Sequence, residues 1–455
     1  MRRIGKYEIL ALLGRGGMGR VYKARLPVAG RIVALKLLAP DATLAALLSQ
    51  EALDRAFCSE AALLGGLRHP RVAQVLDFDR DAAGRPFYCL EFFCQNLGLV
   101  LHETYRAEEP ARALPAPFAA RLGAEVLDGV GRLHDAGILH RDLKPFNVML
   151  DDEDRVRLID FGLSARRGEG RAGHGGLAVG TPFYTAPEQE ADAARADERS
   201  DLYSVGVMLW RMFTGHLPAE NPARRQRPSA MESGLLGAFD DFLLRAVDSD
   251  PGQRYQDAAS MERALADALA DWRAALSEAC VLREEEPRRS ATVRPRSEPR
   301  TVRPSEALAV FPLDALWRPL PGGQAFETLP GEVVRDPATG LCWQRSGSPH
   351  ALDWPGARDY CARLAAGRFA GRGGWRLPTI DELCTIVARA EGADGYCLDP
   401  VFDRGQGRLW SADRASNRSA WCADARLGTV SRQDTDCLLH VRAVCPFHET
   451  AKETT

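Results

Sequence analysis

Long hydrophobic runs are missing from this sequence. No stretch of about 18 apolar residues, the length a membrane-spanning helix needs, occurs in its 455 residues. No apolar leader follows Arg2 and Arg3. The expectation is a cytoplasmic chain, neither secreted nor membrane-spanning. A surplus of one charge is missing too: 59 Lys and Arg face 62 Asp and Glu, for a net charge of -3. That balance gives no reason to expect nucleic-acid binding. Cysteines are sparse up to Cys280 (Cys58, Cys89, Cys94 and Cys280), then seven fall between Cys342 and Cys445. None forms a C-x-x-C pair, so a zinc site lacks its usual spacing, and the expected compartment argues for thiols. The length suggests two or three domains.

What is present centres on His140-Arg141-Asp142-Leu143-Lys144-Pro145-Phe146-Asn147. An acid, a lysine and an amide fall within six positions, on a turn that proline fixes. Thirteen residues after Asn147 comes Asp160-Phe161-Gly162, closing the apolar-rich run 156–159. A base, two side chains able to hold metal and a lysine are what phosphoryl transfer from Mg-ATP requires. H-R-D-L-K-P-x-N followed by D-F-G resembles the signature of the protein kinases. Lysine two residues after the aspartate is similar to the serine/threonine class, here of the bacterial Hanks type, which is eukaryotic-like. The resemblance implies a two-lobed α+β fold with ATP and Mg2+ as cofactors. It also implies that Asp142 takes the hydroxyl proton, Lys144 neutralises the γ-phosphate, and Asn147 and Asp160 hold the metal.

Tyr7 to Leu13 reads as a strand entering Gly14-Arg15-Gly16-Gly17-Met18-Gly19. Alone, G-x-G-x-x-G is a glycine-rich turn. Arg20 to Ala24 then continues as a second strand, which fits a loop covering phosphates and counts against a Rossmann turn. Glycines 14, 16 and 19 let backbone N–H groups approach phosphate oxygens. By the resemblance, Val21 and Ala34 line the adenine site. Val33 to Lys36 is the next strand. A lysine closing such a run can simply reach water, but below a glycine loop Lys36 matches the ligand of the α- and β-phosphates. Glu51 and Glu60 both lie in the following helical stretch, and the family's spacing selects Glu60 as its partner. Phe87 to Phe93 reads as a buried strand running into a hinge, with Leu90 as gatekeeper and Glu91 to Phe93 (Glu91 and Phe93 above all) meeting adenine. Apolar residues at helical spacing from Leu122 to Leu133 predict the helix that leads to the catalytic loop.

Gly180 to Glu188 matches the end of the family's activation segment, with Thr181 as the substrate-positioning threonine. Asp201 matches the aspartate that braces the catalytic loop, and Arg254 the partner of Glu188. The likeness covers roughly residues 7 to 270. Two departures stand out. The chain is short between Gly215 and Phe239, where a substrate-docking helix often lies. Between Ala165 and Gly180 there is no serine, threonine or tyrosine, so Glu169 either stands in for a phosphate opposite Arg141 or is simply solvated.

From 273 to 325 charged residues, proline, serine and threonine dominate, which predicts a flexible linker. It repeats T-V-R-P at Thr292 and Thr301. These threonines are either part of a solvated spacer or acceptors presented to the tethered kinase. Residues 326–448 hold five of the eight tryptophans and predict a separate core. Trp354 to Leu364 reads as an amphipathic helix, and Thr379 with Glu382 as the capping box of another. T-G-L-C-W-Q, W-x-x-A-x-x-Y-C and W-R-L-P-T-x-x-E-L resemble a bacterial domain of unknown function at the end of a collagen-like adhesin, of C-type-lectin-like α+β fold. That likeness implies the order of two disulfides, Cys361 with Cys445 and Cys422 with Cys437, or spatial neighbours if reduced.

The expected organisation is therefore a kinase domain over 1–272, a linker over 273–325 and a lectin-like domain over 326–448. The expected function is ATP-dependent phosphorylation of protein serine and threonine hydroxyls, with a sensing or scaffold module whose ligand is unknown. The alternative is a pseudokinase scaffold that acts by binding through the second domain.

Overall fold

The computed structural model describes residues 3–104, 106, 109–160, 165–166, 183–219, 221, 224–231, 237–279, 294–320, 326–388 and 396–447. The chain divides into two compact units, Met1–Val281 and Leu282–Thr455. Among the described residues no helix is long and apolar enough to cross a membrane.

The first unit begins with strands β1 (Arg3–Ile4), β2 (Tyr7–Arg15), β3 (Gly19–Arg25) and β4 (Ile32–Leu38). Helices α1 (Ala42–Leu47) and α2 (Gln50–Gly66) follow, then β5 (Val75–Arg80) and β6 (Pro86–Glu91). The six strands form one antiparallel sheet in the order β1-β2-β3-β4-β6-β5. Alternation along β4 sends Val33, Leu35 and Leu37 into a core with Tyr22, Ala24, Phe87 and Cys89, which leaves Ala34 and Lys36 on the opposite face. In α2 the Ser49 hydroxyl accepts the Ala52 N–H. Its buried stripe is Leu53, Phe57, Glu60, Ala61 and Leu64, so Glu60 is carried inward by helical spacing.

β7 (Gln95–Asn96), α3 (Leu97–Leu101), α4 (Ala116–Asp135) and β8 (Ile138–Leu139) come next. They are followed by β9 (Val148–Leu150), β10 (Val156–Leu158) and β11 (Ala165–Arg166). The order β10-β9-β7 makes a small sheet, and β8 pairs with β11. α4 has proline in its first turn, where no N–H is missed, and buries Leu122, Val126, Val130 and Leu133, the predicted stripe.

The helical remainder is α5 (Pro187–Ala191), α6 (Glu198–Thr214), α7 (Pro228–Met231), α8 (Asp240–Ala246) and α9 (Ala258–Ala279). α6 starts at an Asp197–Ser200 capping box and ends at Gly215, φ 72°, where a Cβ would meet the Ala111 carbonyl at 2.6 Å. Inside α6, Arg211 is fully buried and pairs with Glu103 at 2.9 and 3.1 Å. The Tyr184 hydroxyl donates to the same carboxylate at 2.8 Å. Among the described residues between Gly215 and Gly237, α7 is the sole α-helix, four residues long, in keeping with the short chain there.

In the second unit, α10 (Ala307–Val310) precedes β12 (Glu327–Leu329), β13 (Val333–Asp336) and β14 (Leu341–Gln344). α11 (Trp354–Ala366), α12 (Ile380–Ile386), β15 (Arg408–Ser416), β16 (Ser419–Asp424), β17 (Thr429–Asp434) and β18 (Val444–Pro446) complete it. Two antiparallel sheets result, β12-β13-β14-β18 and β15-β16-β17. Trp343, Trp410 and Trp421 are fully buried, and Trp354 and Trp375 nearly so, as expected of core tryptophans. α12 begins at the Thr379–Glu382 capping box that the sequence predicts.

Two expectations need correction. The range 273–325, expected as a flexible linker, holds ordered structure over its described parts, 273–279 and 294–320. Residue 272 lies inside α9, which runs to Ala279. Val302, Ala307, Phe311 and Leu313 sit in the second unit's core beside Trp421. The polar composition hid these few apolar anchors, because contacts such as those of Val302 and Phe311 with Trp421 span more than a hundred residues. Arg296 anchors the same segment. Its guanidinium forks onto Asp413 at 2.8 and 2.9 Å and reaches Asp381 at 2.6 Å. Asp413 also accepts the N–H of Arg300 and of Ile380. Thr301 forms a bridge with Arg414 and is exposed, whereas Thr292 lies outside the described residues.

The second correction concerns thiols. Cys361, Cys422 and Cys445 are free thiols, so neither disulfide that the lectin-like likeness implies is formed. Cys445 stands opposite Cys342 across β14 and β18, and the Cys422 Sγ lies 3.2 Å from the Ser431 hydroxyl. Ladder register, not the order of cysteines along the chain, decides which sulfurs meet. Burial pushes the Cys361 and Cys422 thiols up to about 12.

Candidate active site

The glycine loop is a β-hairpin. Gly14 pairs with Val21 and Arg15 with Arg20, and Gly16 and Gly19 exchange backbone hydrogen bonds at 2.9 and 3.3 Å. A Cβ on Gly14 or Gly16 would meet open space, but one on Gly19 would lie 2.4 Å from the Leu37 carbonyl. Gly19 is thus required by the neighbouring strand whatever it does for a phosphate. The tip is tied down from beyond β4, where Ala39 N–H donates to Met18 and Asp41 N–H to Gly17. Val21 stands opposite Lys36 and Ala34 opposite Leu90, so all four belong to one neighbourhood of the sheet. Glu91 ends β6, where its side chain meets Arg31 at 3.2 Å, and Phe93 follows, half-buried.

Lys36 is the hub. Its Nζ lies 2.7 Å from Glu60 Oε1 and 2.9 Å from Asp160 Oδ1. Burial works against the ammonium, but Asp160 and Glu60 more than offset it and hold Lys36 well above the ordinary lysine range. In return the Lys36 charge holds the Asp160 carboxyl below its ordinary range. Asp160 has φ 64° and Arg141 φ 64°, left-handed backbone that a non-glycine residue adopts only when its surroundings dictate it.

The dictating group at Arg141 is Asp201. From α6 its carboxylate accepts the N–H of His140 at 2.9 Å and of Arg141 at 2.8 Å, and His134 Nε2 lies 2.9 Å away. Burial raises the Asp201 carboxyl, and these contacts more than reverse the rise, so it stays low. With the loop held, Asp142 Oδ2 receives Lys144 Nζ at 2.8 Å and Asn147 Nδ2 at 3.1 Å. The Asn147 amide also donates to the Asp142 carbonyl at 2.8 Å. Glu188 and Arg254 meet bidentately at 2.8 Å, and Ser200 donates to the same carboxylate at 2.6 Å. Thr181, Phe161, Gly162 and Glu169 lie outside the described residues.

The structure thus brings Lys36, Glu60 and Asp160 together, and likewise Asp142, Lys144 and Asn147. Sequence reasoning missed Tyr88, His134 and Glu103. Tyr88 had a readable signal, since it lies two residues before Leu90 on an alternating strand and so shares its face.

The oxygens of Asp160 and Asn147 suit a hard divalent cation that keeps part of its water shell. Asp160 is held ionised, and Asn147 uses its nitrogen on Asp142, which turns its carbonyl to other work.

A family profile described as protein kinase domain matches residues 7–270. A second, described as Lcl C-terminal domain, matches residues 332–445. Serine/threonine-protein kinase pkn3 of Myxococcus xanthus is 34% identical over 273 residues, which cover 55% of this chain and 47% of that protein. Serine/threonine-protein kinase pkn2 of the same organism is 36% identical over 60% of this chain and 33% of its own length. Serine/threonine-protein kinase PksC of Streptomyces coelicolor is 35% identical over 56% of this chain and 48% of its own. The chain spans half or less of the length of these curated relatives.

Proposed function

The chain belongs to the protein kinase family, by the match over residues 7–270, and from that premise we propose that it transfers the γ-phosphate of ATP to serine and threonine hydroxyls of proteins. The observation that carries this reading is the intact pair of clusters, Lys36–Glu60–Asp160 and Asp142–Lys144–Asn147. The six side chains of these clusters are all of the types that phosphoryl transfer calls on, and Lys36 meets Glu60 and Asp160 as Asp142 meets Lys144 and Asn147, which counts against a pseudokinase scaffold.

In this reading the loop of Gly14, Gly16 and Gly19 covers the phosphates, Val21 and Ala34 flank the adenine, and the backbone from Glu91 to Phe93 meets its edge. Lys36, fixed by Glu60, holds the α- and β-phosphates. Asp142 accepts the proton of the acceptor hydroxyl as its oxygen bonds to the γ-phosphorus and the bond to ADP breaks. Lys144 offsets charge on the phosphoryl oxygens. Mg2+, held by Asp160 and Asn147, would neutralise the phosphates when bound. Thr181 is assigned to position the acceptor.

For the second unit we infer a C-type-lectin-like domain that starts near residue 294, supported by its two antiparallel sheets, two longer helices and tryptophan core, and that serves as a sensing or scaffold module. Thr301 and Thr292 are proposed as acceptors for the chain's own kinase, and the compartment as the cytoplasm. The test is transfer of labelled phosphate to a generic basic protein. Asp142→Asn should lower the rate by about 10²–10⁴-fold. Equal inactivity of wild type and variant, with ATP still bound, would establish the scaffold instead.

A further inference from the structure

Glu60 has a second donor that the family signature does not contain. The Tyr88 hydroxyl donates to Glu60 Oε1 at 2.8 Å, the same oxygen that takes Lys36 Nζ at 2.7 Å. Tyr88 also stands directly opposite Lys36 in the β4–β6 ladder. Its ring lies 5.7 Å below the Lys36 ammonium and packs on Phe57 of α2, centroids 5.1 Å apart. Phe57 precedes Glu60 by three residues, so both face Tyr88 from one side of the helix. One side chain therefore touches the lysine, its glutamate and the helix that carries the glutamate. Tyr88 is 1% exposed, and burial keeps its phenol protonated, so the hydroxyl remains a donor whenever the fold is intact.

We propose that Tyr88 is a positioning residue for phosphoryl transfer: it ties α2 to β6 through Glu60 and so sets the reach of Lys36 toward the ATP phosphates. The geometry explains the need. A glutamate on a helix and a lysine on a strand can meet only if the helix keeps its distance and rotation. The lysine alone is a poor clamp, because Asp160 competes for it at 2.9 Å. A neutral donor on the adjacent strand holds Glu60 in place even while Lys36 turns to a nucleotide. This inference rests on the phosphotransfer reading above.

The experiment compares wild type, Tyr88→Phe, Glu60→Ala and the double variant in the full chain, measuring Kd for Mg-ATP, KM for ATP, kcat and the melting temperature without nucleotide. Tyr88→Phe keeps the ring contacts and removes only the donor. It should raise Kd and KM for ATP roughly tenfold, the scale of one hydrogen bond to a charged group, and leave KM for the protein substrate unchanged. In the Glu60→Ala background the same change should add nothing, since its acceptor is gone. A lower melting temperature with unaltered ATP parameters would reduce Tyr88 to packing and overturn the proposal. An equal loss in both backgrounds would overturn it too, by showing that the hydroxyl acts elsewhere. If wild type binds Mg-ATP but transfers nothing, the phosphotransfer reading fails, while the Kd comparison still decides Tyr88. Tyr88→Met, which fills the same space without a donor, stands in if Tyr88→Phe melts below the assay temperature.

Discussion

A fragment that begins at residue 326, where composition alone would cut, should fail to fold, whereas one that begins at 294 should fold. The shorter fragment loses Val302, Phe311 and Leu313, which are 3%, 4% and 7% exposed. Phe311 meets Trp421 edge-on at 5.3 Å, Trp317 covers the same indole at 5.3 Å, and the Trp421 Nε1 donates to the Val302 carbonyl at 2.9 Å. Burying an aliphatic or phenyl side chain contributes about 1.5–3 kcal/mol, so these three together contribute about 5–9 kcal/mol. A domain's whole margin is about 5–15 kcal/mol. The cut also strips Asp413, fully buried, of Arg296, and an uncompensated buried charge costs about 3–5 kcal/mol more. Residues 294–448 and 326–448 should be expressed separately and followed through urea by tryptophan fluorescence. The longer fragment should unfold in one cooperative step, and the shorter should show no transition or aggregate. A shorter fragment with the same midpoint and slope would refute the reasoning and return 294–320 to the status of a spacer.

Lys36→Met should abolish transfer with the fold intact but a lowered melting temperature, because Glu60 stays buried without its counter-charge, and near-normal turnover would mean that another lysine serves the phosphates. Arg254→Ala should destabilise the first unit by about 3–5 kcal/mol, because Glu188 keeps its burial but loses its bidentate partner; denaturant unfolding measures it. Asp201 and Glu188 both have carboxyls held below their ordinary range, so their contribution is full at neutral pH and is lost as pH falls through those lowered values. Asp201→Asn should accordingly flatten the decline in stability on the acid side. Phosphatase-treated protein should phosphorylate a substrate without a lag, since 165–180 offers no acceptor; a lag removed by prior autophosphorylation at Ser164 or Thr185 would contradict this.

Much of the first unit could be read in advance because its information is local. Glycine spacing, the alternation that separates Lys36 from Leu35 and Leu37, and the compressed Asp142–Asn147 turn all lie within a few residues. What could not be read is set by contacts far apart in sequence. Tyr88 reaches Glu60 across 28 positions, Arg211 reaches Glu103 across 108, and Trp421 reaches Val302 across 119. Segment 294–320 looked like a spacer for the same reason. Its few apolar residues have no local periodicity, and their burial appears only when the distant tryptophans are in place. The thiols repeat the lesson, since strand register across β14 and β18 puts Cys342 opposite Cys445.

The Arg211–Glu103 pair has a consequence for how this sequence can drift. Both side chains are wholly shielded, and Tyr184 leans on the same carboxylate. Replacing either ion alone takes a fully buried counter-ion from the other, a loss of about 3–5 kcal/mol against a domain's margin of about 5–15 kcal/mol. Replacing both by well-packed apolar groups can be neutral, yet that destination lies beyond a costly single-step intermediate. Lineages that inherit this arrangement should therefore keep both residues or exchange them together, and those that exchange them should also show phenylalanine, or a new acceptor, where Tyr184 stands.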